Sequence, residues 1–424
     1  MVSVSVSGMG IVSSAGHSLS SFNDSLFNGK SHFICSQDFP ELSFPVIVAG
    51  LSDFSFESSL EDYSDLPREL IIHAKKAGNR APLTIQTAII AALGAWRESK
   101  IHERNINKQR IGIVVAGQNI SQRYQYVSNE AFKREPTYLN PNYAIRFMDT
   151  DHVGTLSEIF EIHGEGFTIG GASASGNLAL INAYRMIKHG ILDICLVVGA
   201  LADLSPLELQ GFHQIGALGG DSYKKIPSQA CRPFDKDHNG FIWGQASGCI
   251  TLEASHGRKN HSNEDTIAIS GVSMKLDGYR GSSPNLEGEM FVMNSAMHNG
   301  GILPNQIQYI NTHGSSSVIG DETEIEAIKQ VFGPCAKKVA LNSTKSITGH
   351  CLWSGGIVEA IATILQMKQS FVHPSLNLQT PICQDCNFVC NQSQSLTINH
   401  AISNSFGFGG INSSVLFSKI KGSK

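Results

Sequence analysis

The stretch GGASASGNLALINAYRMIKHGILDICLVV, residues 170–198, decides how the rest of the chain is read. Seven small residues, Gly170 to Gly176, lead into a nearly uncharged helical segment from Gly176 to Ile187. Lys188-His189-Gly190 closes it as a C-cap does, with basic residues in the last turn and a glycine beyond. Ile194 to Val198 is then a continuous apolar run, which suits a strand covered on both faces. A helix with so little charge must also be largely buried. Alternating buried helices and strands make an α/β architecture.

The alternation extends in both directions. Val2 to Val12 reads as a strand running into a turn at Ser13 to Gly16. Leu83 to Trp96 has helical spacing of apolar residues, and Arg110 to Val115 is another short buried strand. TIAISGV at 266–272 opens a second part much as VSVSVSGM at 2–9 opens the first. Each part then has a small-residue loop before an apolar helix: residues 170–176 in one, and Thr348-Gly349-His350 with Ser354-Gly355-Gly356-Ile357 in the other. The insert lengths differ, so the pattern alone leaves internal duplication open.

Composition narrows the function classes. The 424 residues carry 32 Lys and Arg against 36 Asp and Glu, a net charge of −4, which disfavours a global grip on nucleic acid. Charged residues make up 16%, below the roughly 25% of an average soluble chain. Hydrophobics at 41%, without long charged or repetitive runs, exclude disorder for most of the length. No apolar stretch approaches the ~18–20 residues that span a bilayer, and the N-terminus lacks the pattern of a signal peptide. Nine scattered cysteines read as reduced thiols, so a cytoplasmic protein is expected.

Four constellations carry chemistry. Ser173 lies just before a helix start, where free N–H groups and the helix dipole stabilise an anion; in isolation, a plain helix cap is the favoured reading. NTHGSSS at 311–317, followed by GDETE at 320–324, places His313 at a strand end beside a glycine. There an imidazole N–H can enter a cavity, or the ring can be an ordinary bonded core histidine. KSITGH at 345–350 adds Lys345 and His350, and NSFGFGGIN at 404–412 is a Gly/Phe loop that a ligand can approach closely.

The ordered set, together with RPFD at 232–235, Gly240-Phe241 and Leu252-Glu253, resembles the β-ketoacyl synthase family over essentially the whole chain. These are the thiolase-fold condensing enzymes of fatty acid and polyketide synthesis. The resemblance implies a five-layered α-β-α-β-α fold of two related halves, here 1–256 and 257–424, usually as a homodimer. It also implies an acyl carrier protein as partner, whose phosphopantetheine arm brings the substrate, so no cofactor of the protein's own and no metal is expected. Carried over by position, His313 and His350 bind the thioester carbonyl of a malonyl unit. Lys345 accompanies them, Glu324 is the acid that orders Lys345, and Phe408 is the gate whose N–H helps form an oxyanion hole. Ser315 and Ser317 stand where threonines touch the phosphopantetheine arm, and Phe406 also faces the substrate.

The departure lies at the nucleophile. The family has Ala-Cys-x-Ser-Gly where this chain has Ala172-Ser173-Ala174-Ser175-Gly176. A serine hydroxyl ionises far less readily than a thiol and needs a neighbouring base. Acyl transfer and condensation are therefore expected to be impaired, whereas decarboxylation of malonyl needs only donors aimed at the enolate oxygen. The pattern looks like the freestanding Cys-to-Ser ketosynthases of polyketide β-branching cassettes, which turn malonyl-carrier protein into acetyl-carrier protein for an HMG-CoA-synthase-like enzyme.

Two rivals stand beside this malonyl-carrier decarboxylase: a Ser-dependent acyltransferase or condensing enzyme, and a silent subunit like a chain-length factor. Such subunits usually lose the His pair, which this chain keeps. Trp353 stands where the family has glycine, and either narrows the acyl pocket or repacks the core. His238 and Gln245 replace an Arg and a Glu. Cys383, Cys386 and Cys390 have partial zinc-ligand spacing without an evident fourth ligand. Lys75, Lys76 and Arg80, with Lys224 and Lys225, either meet an acidic carrier or are simply solvated.

Overall fold

A computed structural model describes residues 2–255 and 265–422. The expected division at 256/257 falls outside the described residues. Eleven strands form one continuous hydrogen-bonded sheet, and its strand order settles the duplication question. Across the first half the spatial order is 166–169, 111–116, 194–199, 246–254 and 4–13. Across the second it is 340–342, 309–311, 400–407, 411–420 and 266–276. Numbered along the chain within each half, both read 3-2-4-5-1.

The strand directions repeat as well. In each half the second strand runs parallel to the third and fourth, and the fourth–fifth and fifth–first pairs are antiparallel. The two first strands join the halves, with Val4 opposite Ile269 and Ser5 opposite Ala268. A short strand, Asn387–Phe388, extends the second half by one.

Strands buried on both faces explain the near-continuous apolar runs. Along Ile111–Ala116, Ile113 and Val115 face an outer core with Leu93 and Trp96 of the helix Leu83–Ser99. Val114 and Ala116 face a central core instead, as the two-residue strand period requires. The central core is built on the helices Ser175–Lys188 and Gly355–Gln369. A third core lies under Leu286–Gly300 and Val318–Phe332. Helices, one half of the sheet, helices, its other half and helices make the five layers that the family resemblance implied.

The two central helices touch where both chains are glycine. A Cβ on Gly176 would lie 2.7 Å from the Gly356 Cα, and one on Gly356 2.6 Å from the Asn177 N. This close crossing brings the N-termini of both helices to one place. The Lys188-His189-Gly190 ending is also found, with Gly190 at φ +73°. Among the described residues, no helix is long and apolar enough to cross a membrane.

Candidate active site

Each central helix is entered through a single 3-10 turn, Ala172–Ala174 in one half and Leu352–Ser354 in the other. Ala172 has φ +48°, a left-handed conformation that costs an L-residue energy and turns the next side chain away from the helix. The Ser175 hydroxyl braces the turn by donating to Ala172 O (2.7 Å) and accepting from Gly171 N (2.8 Å). Ser173 is thus not the cap. Its Oγ lies 2.9 Å from Nε2 of His350. The strand ending at Gly407 packs directly on this turn, where a Cβ would lie 2.5 Å from Gly171 O and 3.3 Å from Ser173 N.

His350 has its tautomer fixed by its own loop. The Leu352 N–H donates to Nδ1 (3.2 Å), so the ring's proton sits on Nε2 and is donated to Ser173 Oγ. His350 therefore cannot serve as the base for Ser173. His313 is fixed in the same sense by a different group. The Lys345 ammonium reaches His313 Nδ1 (3.4 Å) and donates to His313 O (2.6 Å), which leaves the ring proton on Nε2. Burial, reinforced by the Lys345 charge, holds both imidazoles well below their usual pKa, and His350 adds to the effect on His313. Both are neutral N–H donors at pH 7. Their ring centroids are 5.5 Å apart at 82°.

Lys345 is itself buried and ion-paired with Glu359. This corrects the role assigned to Glu324. The Glu324 carboxylate instead accepts from His313 N and Gly314 N, both at 2.8 Å, and from Asn404 Nδ2 at 3.2 Å. It shapes the backbone from which the His313 ring projects; burial pushes its carboxyl up to about 7 against those hydrogen bonds. Glu359 went unread in the sequence. The available signal was a lone acid among the mostly apolar residues 355–367, since a buried charge in such a place needs a partner.

A cavity of about 560 Å³ opens onto these groups. Ser173, His313 and His350 line it with Phe406, Phe408, Ser315 and Ser317, so all the substrate-facing positions expected from the sequence meet there. Phe408 is 39% exposed at its rim. The Phe406 ring is 5.7 Å from that of His313, and Ser315 Oγ donates to Ser317 Oγ (3.1 Å). Gln118, also in the lining, was not anticipated; it accepts from Ala172 N (3.2 Å) and steadies the Ser173 turn.

The departures of uncertain meaning find places. Trp353 both lines the cavity and joins the first outer core, so narrowing the pocket and filling the core are one act. His238 bonds the buried Asp321 (3.0 Å), which also accepts from Phe234 N and Ser316 N and so organises the 315–317 loop. Gln245 accepts from Leu51 N (3.0 Å). Cys383 and Cys386 have sulfurs 3.2 Å apart and pack with Cys390 against the third core. Among the described residues, no group of three or more His, Cys, Asp or Glu could hold a metal ion.

Comparison with known proteins agrees with this geometry. The family model for the N-terminal domain of beta-ketoacyl synthases matches residues 1–257, and that for the C-terminal domain matches 267–379. The polyketide biosynthesis malonyl-ACP decarboxylase PksF of Bacillus subtilis is 37% identical, covering 99% of this chain and 97% of that one. A 3-oxoacyl-[acyl-carrier-protein] synthase 2 of Coxiella burnetii is 29% identical over 98% of both. Among solved structures, a beta-ketoacyl synthase from Burkholderia phymatum superposes with TM-score 0.87 at 24% identity, covering 99% of this chain and 100% of its own. A type II polyketide ketosynthase solved with its acyl-carrier protein gives 0.84 at 24% identity, with the same two coverages. With two domain models matched in order on a sheet whose halves repeat one five-strand order, the chain belongs to the beta-ketoacyl synthase family.

Proposed function

We propose that the protein decarboxylates malonyl-acyl carrier protein to acetyl-acyl carrier protein in polyketide biosynthesis. One observation carries the reading: the site keeps two neutral imidazole donors while the acyl-acceptor position holds a serine that has no base. The thioester carbonyl of the malonyl unit sits between the Nε2–H groups of His313 and His350, taking the latter over from the Ser173 hydroxyl. As the bond to the carboxylate breaks, its electron pair moves to the carbonyl oxygen. Carbon dioxide leaves, and both N–H groups stabilise the enolate oxygen. Lys345 keeps the His313 proton on Nε2, and Glu324 and Glu359 fix the backbone and the ammonium behind it.

Condensation needs a further step that this site lacks. An acyl group would have to move onto Ser173 Oγ, whose proton has no acceptor because His350 already donates to that oxygen. The name of the relative PksF supports the same substrate, and a neighbour solved with its acyl-carrier protein supports that kind of partner. The phosphopantetheine arm enters past Ser315 and Ser317, and the protein needs no cofactor of its own.

An open sheet edge supports a homodimer. Among the described residues, the strand Gly166–Ile169 pairs only with Ile111–Ala116 and leaves its outer edge open, with Phe167 exposed. Nine unbridged cysteines suit the cytoplasm. The acetyl product serves an HMG-CoA-synthase-like enzyme, and the halves 1–256 and 257–424 supply Ser173 and the two histidines respectively.

The test is intact-mass analysis of malonyl-loaded carrier protein after incubation with the enzyme. The expected result is loss of carbon dioxide to give acetyl-carrier, with no acyl adduct on Ser173. An unchanged malonyl group would overturn the proposal, and an adduct on Ser173 would replace it with the Ser-dependent enzyme.

A further inference from the structure

Decarboxylation ends differently from condensation. A condensing enzyme passes its enolate to an acyl thioester, whereas a decarboxylase must place a proton on the α-carbon. The groups already assigned are poor sources. A neutral imidazole that gave up its Nε2 proton would become an imidazolate, and the Ser173 hydroxyl is a weak acid.

The cavity wall contains another candidate. Glu289, on the helix Leu286–Gly300, lines the same cavity as Ser173, His313 and His350, yet is 0% exposed as a residue. Among the described residues, neither of its carboxyl oxygens has a hydrogen-bond partner. One turn further along, Met293 Sδ meets Asn404 Nδ2 (3.4 Å), and Asn404 bonds Glu324 beneath His313. This face of the helix therefore looks onto the His313 cradle. A buried carboxyl without partners is costly as an anion and strongly favours its neutral form.

We propose that Glu289 is the general acid of this site, giving its carboxyl proton to the α-carbon of the enolate. The inference rests on the decarboxylase reading above. The enolate's electron pair forms the new C–H bond, the O–H bond of Glu289 breaks, and the resulting carboxylate regains a proton from water entering the cavity mouth. One proton is consumed for each carbon dioxide released.

The surroundings keep the acid charged with its proton. Burial raises its pKa well above the usual carboxylate range, and the negative charges of Glu324, Asp277 and Asp321 push the same way. The basic groups on neighbouring strands are engaged elsewhere. Lys275 lies over the Phe291 ring, Lys419 pairs with Asp265, and His400 bonds Ser418. A group so placed is protonated at neutral pH and loses that form only as pH rises through its raised value.

The experiment measures acetyl-carrier formation by the wild-type enzyme, Glu289→Gln and Glu289→Met across pH, with melting temperatures alongside. The wild type is expected to slow as pH rises. The variants should lose about 10²-fold in kcat with KM unchanged, and the alkaline decline should vanish. Glu289→Met should melt no lower than wild type, because an unpartnered buried acid is removed. That combination separates a proton donor from a structural residue, whose loss would lower the melting temperature. A folded Glu289→Gln with wild-type kcat and the same pH profile would overturn the proposal and make water the donor. A wild type that leaves malonyl-carrier intact would refute the decarboxylase reading instead.

Discussion

The two halves enter their central helices by the same device and use it for opposite ends. Ala172 at φ +48° begins the 3-10 turn in the first half, and Leu352 at φ +52° begins it in the second. The next residue is Ser173 in one and Trp353 in the other. Ser173 points its hydroxyl at His350, whereas Trp353 puts an indole into the wall of the same cavity. The strained turn is thus a way of aiming a side chain off a helix start, and the chemistry is decided by which side chain is aimed.

The loops before these turns differ more. From the strand end at Ile169 the chain reaches Ala172 across two glycines. From Asn342 it takes the nine residues 343–351, and these carry Lys345 and His350. His313 follows the second half's strand Tyr309–Asn311 just as Gln118 follows Ile111–Ala116. Duplication supplied two equivalent frameworks; the second acquired the donors, and the first kept the acceptor position facing them.

The largest effect should come from the donors. His313→Ala and His350→Ala are each expected to slow decarboxylation by ~10²–10³-fold, the usual cost of one oxyanion donor. The counterpart Gln118→Ala, which loses a hydrogen bond to the Ser173 turn, should cost far less. Steady-state rates of acetyl-carrier formation make the comparison, and equal losses at positions 118 and 313 would erase the difference drawn between the halves.

The support behind the donors comes next. Lys345 and Glu359 are a buried ion pair, so Glu359→Ala strands an ammonium and should destabilise the fold by about 3–5 kcal/mol. Denaturant titration checks this. The double variant Lys345→Met with Glu359→Met should recover much of that loss in stability but none of the activity, because nothing then fixes the His313 tautomer.

How much of this was legible in the sequence depends on range. Ser173, His313, Lys345 and His350 stand in short motifs whose spacing survives in linear order, so the site could be assembled by resemblance. Glu359 acts through an ion pair, and Glu289 from a position in the cavity wall, that exist only once the helices have packed. The role given to Glu324 failed for the same reason. Eleven residues after His313, it closes a local loop onto that backbone, and Lys345 finds its partner on the next helix instead. The duplication was visible as two similar strand openings, but only strand order and direction, which sequence does not print, made it definite.

A smaller effect concerns pH and divides along the same line. His152 in the first half and His373 in the second are buried and held down to about 4 by burial, and His313 and His350 lie well below their usual value. The unfolded chain takes protons on these groups near pH 6.5, and the folded chain refuses them. Stability is therefore full above about 6.5 and falls as pH drops below it, by up to about 1.4 kcal/mol per pH unit for each histidine. Denaturation midpoints between pH 7 and 5 should show this slope. His152→Leu should make the slope shallower without touching activity, since His152 is buried and lies outside the cavity lining.

The smallest change is expected at Ser173 itself, and it bears most directly on the comparison. Ser173→Ala removes a hydroxyl that only receives a hydrogen bond from His350, so decarboxylation should stay within about threefold, the scale of one neutral hydrogen bond. Ser173→Cys should do more than preserve it. A thiol there sits at a helix N-terminus beside the His350 N–H, both of which favour thiolate. Incubated with an acyl thioester, that variant should take up an acyl mass that the native protein does not. Acylation of Ser173→Cys, with native Ser173 unmodified under the same conditions, would mean that one oxygen-for-sulfur exchange separates the two half-reactions. Failure of the thiol to acylate would shift the cause to Trp353, with the second half's turn closing the acyl pocket on the first.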